Sequence, residues 1–575
     1  MSTYLLKETP SGKLTLVYKN SREIRLHSGY DPDREAERAV EGFSIGRASV
    51  IAVYGIGLGY HLDHLKRRYP GKQIIAVEHD PEVAEICRKT YPANLADVQV
   101  ISSPADLSAV FEDMDIAGFR GAAHFIHRPS YRLHEKFYET IMRDMSRYIS
   151  SKISDLLTRF EFEEGWMENI LLNLPHLFTS SRVRRLFGGF AGCPGVIVSA
   201  GPSLKKNVDL LRQMRGRALI VSVDTAFKVL MRKNIVPHIV MSLDAQKYSI
   251  KHFMGTGGGA ALIADLVSFP AVLRSFPGRK IVSTTAKYYA DSSGELKRET
   301  TPLVGWIEKY AGAIGDIQSG GSVATSAFDL LLNLGCSPII LVGQDLAYTG
   351  REIHAAGTYH NDEWLPRTNR FRNLDTINQA VIRRRKIKRV PAYGGTGEVV
   401  SDFVFDLYRS WFEDSARKVS VPIINATEGG ARIEHMEEQT LAGVLERCSL
   451  LNPEPQGILK KMLAAGEQEN PGPLISAMRK ALESLAKIKP LAADALKNRE
   501  LLRSVEELVN QEELREIMIP FLRKARTFVS RRRVPEEESE RIILNDIIEA
   551  ADRLTPVMGR SVAELEKLLR PASGI

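Results

Sequence analysis

The chain has 575 residues, 44% hydrophobic and 26% charged, a globular composition with length for three or four domains and no signature of disorder. Its 78 Lys and Arg against 70 Asp and Glu give a net charge of +8 and a pI near 9.1, which favours an acidic ligand or surface. No apolar run approaches the roughly 18 residues of a membrane span, and the segment from Met1 to Lys7 lacks a signal-peptide core, so a cytoplasmic protein without a membrane span is expected. Cys87, Cys193, Cys336 and Cys448 lie far apart, which suggests neither a disulfide framework nor a zinc site; they are read as reduced and partly buried.

In chain order, residues 48–54 read as a buried strand followed by a turn with Gly55, Gly57 and Gly59, a helix from about Tyr60, and a second strand over 73–77 that ends at Glu78. A glycine-rich turn with an acid about twenty positions on is a βαβ nucleoside-binding pattern. It resembles the Rossmann fold that holds S-adenosylmethionine, although the same glycines also serve close helix packing. Residues 122–126 add a strand. Domain 1–150 is therefore an N-terminal Rossmann-like α/β domain. Apolar residues at helical spacing from Ile153 to Leu174, interrupted by Pro175, predict a pair of linker helices over 151–190.

The expected central domain, 191–450, opens with a strand at 196–198 that runs into Ala200, Gly201, Pro202 and Ser203, and then a helix from Leu204 through Leu210. Gly201 would let an anion approach the backbone, and Ser203 would offer a hydroxyl beside the helix N-terminus. Two further strands end at Asp224 and Asp244, and others follow at 261–264 and 280–283. A second phosphate-compatible helix start holds Ser319, Gly320, Gly321, Ser322 and Thr325. The strand 337–342 ends in Gln344 and Asp345, and 421–424 ends in Asn425, Thr427 and Glu428. Five polar strand ends and two anion-ready helix starts together describe a nucleotide-sugar or nucleotide-phosphate site. From Pro453 the sequence turns helical, which predicts a C-terminal helical bundle over 451–575. The basic runs 383–389, 523–526 and 531–533 read as solvated helix faces, and no nucleic-acid partner is expected.

The stretches Gly201 to Leu204, Ser222 to Asp224, Ser242 to Asp244, Gly320 to Thr325, Gly343 to Tyr348 with His354, and Asn425 to Gly430 resemble the motility-associated factor (Maf) family of bacterial flagellin glycosyltransferases. The resemblance implies an α/β protein with a Rossmann-like central glycosyltransferase domain similar to bacterial sialyltransferases. It also implies transfer of a nonulosonic acid (sialic, pseudaminic or legionaminic) from a CMP-activated donor to Ser or Thr hydroxyls of flagellin. Carried over, Gly201, Pro202 and Ser203 would lie near the CMP phosphate or ribose, Asp224 and Asp244 near the nucleoside, and Ser322 near the cytidine. Sialyltransferases have Asn where this chain has Ala200, and their catalytic His has no counterpart here by spacing.

CMP departs with one added negative charge, which N–H groups and hydroxyls can stabilise; no cofactor or metal is required on this reading, with Mg²⁺ held by the aspartates as the alternative. Asp345 is a candidate to stabilise an oxocarbenium-like sugar, and His354 or His360 to act as base toward the acceptor hydroxyl. Gly320, Gly321, Thr325, Gln344, Asn425, Thr427 and Glu428 complete the donor set, with helix capping as the plain alternative for Glu428. The central domain also resembles archaeal-type hydroxymethylpterin diphosphokinases, which would use ATP and Mg²⁺. A non-enzymatic flagellin-binding factor is the third reading. The C-terminal helices would pack on the central domain and dock the protein acceptor.

Overall fold

In the computed structural model the apolar β-branched runs become strands of parallel sheets, and the residues described are 3–19, 23–103, 106–107, 110–111, 118–290, 295–464, 469–532 and 534–570. The chain divides into two compact units, one of Met1–Glu161 with Tyr289–Lys297 and Lys524–Ser539, the other of Phe162–Tyr288 with Arg298–Arg523 and Glu540–Ile575.

The first unit begins with β1 (Tyr4–Glu8), β2 (Leu14–Lys19) and β3 (Glu23–Arg25), an antiparallel sheet that the sequence pattern did not announce. A parallel sheet follows from β4 (Val50–Tyr54), β5 (Gln73–Val77), β6 (Val98–Ile101) and β7 (Ala122–Ile126), in spatial order β6-β5-β4-β7. All of β4 is buried because both faces are covered: Ile51 and Val53 join one apolar cluster, Val50, Ala52 and Tyr54 the other.

The expected helix pair is instead one helix, Glu135–Thr179, whose first part belongs to one unit and whose second part to the other. Pro175 lies inside it without ending it. A proline supplies no N–H to the carbonyl four residues back, here that of Leu171, and the Ser561 hydroxyl donates to that carbonyl instead.

The second unit is built on a large sheet. Its strands are β8 (Ser181–Arg182), β9 (Gly195–Val198), β10 (Leu219–Val223), β11 (Ile239–Ser242), β12 (Ala261–Asp265), β13 (Lys280–Ala290), β14 (Leu296–Thr300), β15 (Asp316–Ile317) and β16 (Ile339–Val342), with 289–290 of β13 and 296–297 of β14 counted in the first unit. The hairpin of β17 (Ile387–Pro391) and β18 (Glu398–Asp402) stands apart, and β19 (Ile423–Asn425) and β20 (Glu437–Glu438) complete the sheet. The order β14-β13-β12-β11-β10-β9-β16-β19-β20, with β8 and β15 beside β13, is parallel from β13 to β20. The chain walks outward from β9 to β13 and then returns to the other side of β9 for β16. That reversal makes β9/β16 the switch point, the position at which open α/β sheets bind their ligands.

The C-terminal helices Gly472–Ala495, Leu502–Val509, Glu512–Arg532 and Glu536–Leu569 share one apolar core with the sheet: Val240, Leu262 and Val282 cluster with Leu474, Met478, Ile517, Leu554 and Met558. The bundle is thus part of the hydrophobic core of this unit. All four cysteines are buried and free. Among the described residues no helix is long and apolar enough to cross a membrane.

The basic runs meet the solvated-helix expectation in part, with Lys524, Arg526 and Arg532 exposed on helix Glu512–Arg532, and depart from it elsewhere. Residues 387–389 lie on strand β17, and Arg523 on helix Glu512–Arg532 pairs with the buried Glu163 at 3.0 Å. Arg533 lies outside the described residues.

Candidate functional site

Matched register brings the ends of β9 and β16 side by side: Val198 faces Val342, so Ser199 to Ser203 meet Gly343 to Asp345. The Asp345 carboxylate accepts from the Ser203 N–H at 3.2 Å, the Ser203 hydroxyl at 2.5 Å and the Thr349 hydroxyl at 2.6 Å. Burial raises its pKa, and those hydrogen bonds oppose the rise. A Cβ at Gly201 would stand 2.0 Å from Asp345 Oδ1 and 2.5 Å from the Gly343 carbonyl. The glycine is therefore required by the chain's own carboxylate, where the sequence suggested close approach of a ligand. Ser203 is fully buried, its hydroxyl already donated. The helix after it is a single turn, Leu204–Asn207, followed by 3₁₀ turns at Val208–Leu210, so it offers little of the dipole expected of a helix through Leu210.

Around this turn the other predicted residues hold the loops together. The Ser199 hydroxyl donates to Gln344 Oε1 at 2.5 Å, and the Gln344 N–H to the Thr427 hydroxyl at 3.1 Å. Thr427 N–H donates to Asn425 Oδ1 at 3.2 Å. Glu428 accepts from Asn207 Nδ2 at 3.1 Å and from the Leu441 N–H at 2.9 Å, the first residue of helix Leu441–Arg447. That is the capping role weighed for it from sequence. Ser322 caps helix Val323–Asn333 in a reciprocal box with Thr325, whose hydroxyl also accepts from the Gly320 N–H at 2.9 Å. Trp411 lies against Gly320 and Tyr408 against Gly321, so this turn is bound to its own helix and to helix Phe403–Lys418.

A second group gathers beside the tips of β10 and β11. Asp224 accepts from the Ser242 hydroxyl at 3.2 Å and from the Thr225 N–H at 2.7 Å, while Asp244, its pKa raised by burial, accepts from the Gln246 N–H at 2.8 Å. Facing them are three histidines. His354 and His360 stack with ring centroids 4.8 Å apart, and His252 lies 6.2 Å from His360 and 4.4 Å from Tyr359. Both Asp224 and Asp244 act electrostatically on His252. Burial pushes the His354 pKa down to about 3 and that of His360 to about 4, and neighbouring histidines add to both shifts. The rings are therefore neutral at pH 7, each with a lone pair available. His354 also hydrogen-bonds the backbone at Ala200, linking this group to the end of β9.

The short helix Tyr359–Trp364 that presents His360 is pinned by charge. Asp362 pairs with Lys228 at 2.8 Å and Arg232 at 2.9 Å, both on helix Asp224–Arg232, and Glu363 pairs with Lys251. Sequence reading missed His252 and Tyr359. His252 is buried with Nδ1 lacking a partner, and it sits in the 3₁₀ turn Lys247–His252, where no spacing signal marks it.

In the first unit the glycine-rich turn is also occupied by the chain itself. Glu78, buried, accepts from the Ile56 N–H at 2.7 Å and the Tyr138 hydroxyl at 3.2 Å, in place of the ribose hydroxyls suggested by its position. His27 Nε2 accepts from the Leu58 N–H at 2.7 Å and stands 2.4 Å from where a Cβ of Gly57 would be. Both groups take up backbone N–H donors of this turn.

An open parallel sheet with a Gly-Pro-Ser turn at its switch point and carboxylates on the adjoining strand tips is a doubly wound α/β protein, here extended by a second α/β unit and a helical C-terminal region. Residues 168–351 match the family model of 6-hydroxymethylpterin diphosphokinase MptE-like proteins. The fold as a whole is similar to the structure described as the MAf glycosyltransferase from Magnetospirillum magneticum AMB-1, with a TM-score of 0.56 and 15% identity over 99% of this chain and 95% of that one. The resemblance seen in the central motifs thus extends, as a likeness of fold, to both flanking regions. Two uncharacterized proteins of Treponema pallidum (strain Nichols) are 28% identical over 197 residues and 33% identical over 98. The chain spans about half the length of these curated relatives, 50% and 45%.

Proposed function

We propose that the protein is a glycosyltransferase that moves a nonulosonic acid of the sialic, pseudaminic or legionaminic type from a CMP-activated donor to Ser or Thr hydroxyls of flagellin. The observation that carries this reading is the end-to-end likeness of fold to a Maf glycosyltransferase; the pterin-kinase match spans only 168–351.

On this reading Asp224 and Asp244 receive the nucleoside of the donor, and the neutral imidazoles of His354, His360 and His252 lie where the acceptor hydroxyl must lose its proton. An imidazole with a pKa of about 3 or 4 is a weak base in the free protein. The donor brings a phosphate and a sugar carboxylate, and negative charge placed beside a histidine raises its proton affinity. The base therefore gains strength only once donor is bound, which disfavours wasteful activation of water beforehand. Asp345, Ser203, Gln344, Thr427 and Glu428 form the frame that fixes the loops, so we assign them positioning roles. CMP departure adds a single negative charge, for which N–H and hydroxyl donors suffice, and Mg²⁺ is not required by the proposal.

The test is intact-mass analysis of flagellin coexpressed with the protein and a nonulosonic acid pathway. A mass gain of whole nonulosonic acid residues that disappears with His354→Ala supports the proposal. No gain, together with calorimetric preference for ATP and Mg²⁺ over CMP, would replace it with the diphosphokinase reading; binding of flagellin without CMP or ATP would leave a non-enzymatic flagellin-binding factor.

A further inference from the structure

Residues 349–402 form one excursion between β16 and helix Phe403–Lys418. Its inner part carries His354 and His360. Its outer part, 365–389, holds nine Lys and Arg against one acid, Asp375, an excess of eight that equals the net charge of the entire chain. The positive balance of the protein is thus concentrated in one stretch of 25 residues.

The structure exposes that charge. Helix Leu374–Ile382, capped by Asn373, is about 14 Å long and separates two cationic ends. Arg367, Arg370 and Arg372 precede it, and Arg383, Arg384 and Lys386 follow; all six are exposed and are in no ion pair among the described residues. Lys388 and Arg389 on β17 are engaged by Asp406 and Glu398. Phe371 is 82% exposed, with the Arg370 guanidinium 4.8 Å above its ring. The ring gives the basic ridge an exposed apolar contact point.

The ridge is fixed to the histidines. Leu365 directly follows the helix that presents His360, and Asn378 of the ridge helix accepts from the Ile353 N–H at 3.1 Å, one residue before His354. Whatever lies on the ridge borders the site. A CMP-sugar is too small to need it, whereas a protein substrate needs a surface outside the crevice, on the order of 800 Å² per partner.

We propose that this ridge docks the acceptor polypeptide by pairing its guanidinium forks with an acidic stretch of that chain, with Phe371 as the apolar anchor. The inference rests on the glycosyltransferase reading above. Guanidinium groups pair bidentately with carboxylates, and exposed charge at an interface rim acts mainly on the rate and salt dependence of association.

The test uses the full chain and a variant carrying Arg370→Glu, Arg372→Glu, Arg383→Glu and Arg384→Glu, with flagellin purified from the same source as the protein. The expected result is association about tenfold slower than wild type at about 50 mM salt, converging at about 500 mM, with CMP affinity unchanged. Phe371→Ala is expected to speed dissociation at both salt concentrations. Equal association and equal glycosylation by wild type and variant would overturn the docking inference alone. Failure of the wild type to bind CMP or to modify flagellin would overturn the reading beneath it as well. Ridge-dependent binding of a single-stranded oligonucleotide or of vesicles containing phosphatidylserine, with flagellin unbound, would assign the ridge to another partner and refute the proposal.

Discussion

Replacing Asp345 with alanine is expected to act on the stability of the second unit before it acts on chemistry. The carboxylate satisfies the Ser203 N–H, the Ser203 hydroxyl and the Thr349 hydroxyl. Ser203 is fully buried, so its two donors would be stranded, while the half-buried Thr349 can turn to water. Each stranded donor costs about 1–3 kcal/mol, and relief from burying the carboxylate offsets part of this, leaving a loss of about 3 kcal/mol. All four tryptophans, Trp166, Trp306, Trp364 and Trp411, lie in the second unit, so the midpoint of tryptophan fluorescence in a urea titration reads the effect on that unit. CMP affinity should fall with stability, and Asp345→Asn should lie between the two because its amide oxygen retains one acceptor. An Asp345→Ala variant that unfolds at the wild-type midpoint yet loses transfer would refute this reasoning and return Asp345 to the reacting sugar.

His354→Ala should cut transfer about 100-fold or more, the usual scale of a general base, while CMP affinity stays within about twofold, since the loss falls on the transition state; equal losses of both would place His354 in donor binding instead. Burial raises the Asp329 pKa to about 6, so the native state holds that proton more firmly than the unfolded chain, and stability falls as pH rises from about 4 to about 6. Asp329→Asn should remove part of that fall, up to about 3 kcal/mol, when urea midpoints are compared with wild type across the window; an identical pH slope would count against the assignment. In the first unit, S-adenosylmethionine should give no binding heat with the intact protein, because Glu78 and His27 already serve the glycine turn, and a clear isotherm would show that these groups move aside. A chain ending near Leu451 should lose soluble yield and CMP binding together, since Leu474, Met478, Leu554 and Met558 close the core over Val240 and Leu262. A soluble truncated chain with intact donor binding would show that the sheet stands without them.

Much of the fold was legible locally. The runs at 73–77 and 122–126 became strands with the expected bounds; in the first, burial of Ile74 to Val77 demands unbroken apolar sequence, while in the second only Phe125 is buried. The β17/β18 hairpin was not legible: a strand reading Ile387–Lys–Arg–Val–Pro391, mostly in solvent, leaves no apolar alternation. Helix Glu135–Thr179 escaped notice as one element because the partner that satisfies the carbonyl opposite Pro175 is Ser561, nearly 400 residues away.

The sequence by itself determined that polar groups would stand at the carboxyl ends of parallel strands, since strand pattern and turn chemistry are properties of neighbouring residues. Which of those groups are available was decided only by tertiary structure. Gly201, Ser203 and Asp345 look like a ligand cradle in one dimension and are an internally satisfied joint in three, because β16 enters beside β9 from 144 residues away. His252, His354 and His360 carry no common spacing, and they converge because the tip of β11 and the excursion after β16 meet at one edge of the sheet. Hydrogen-bond satisfaction and burial depend on what the rest of the chain brings to a residue, and that is set by packing, which no local stretch of sequence contains.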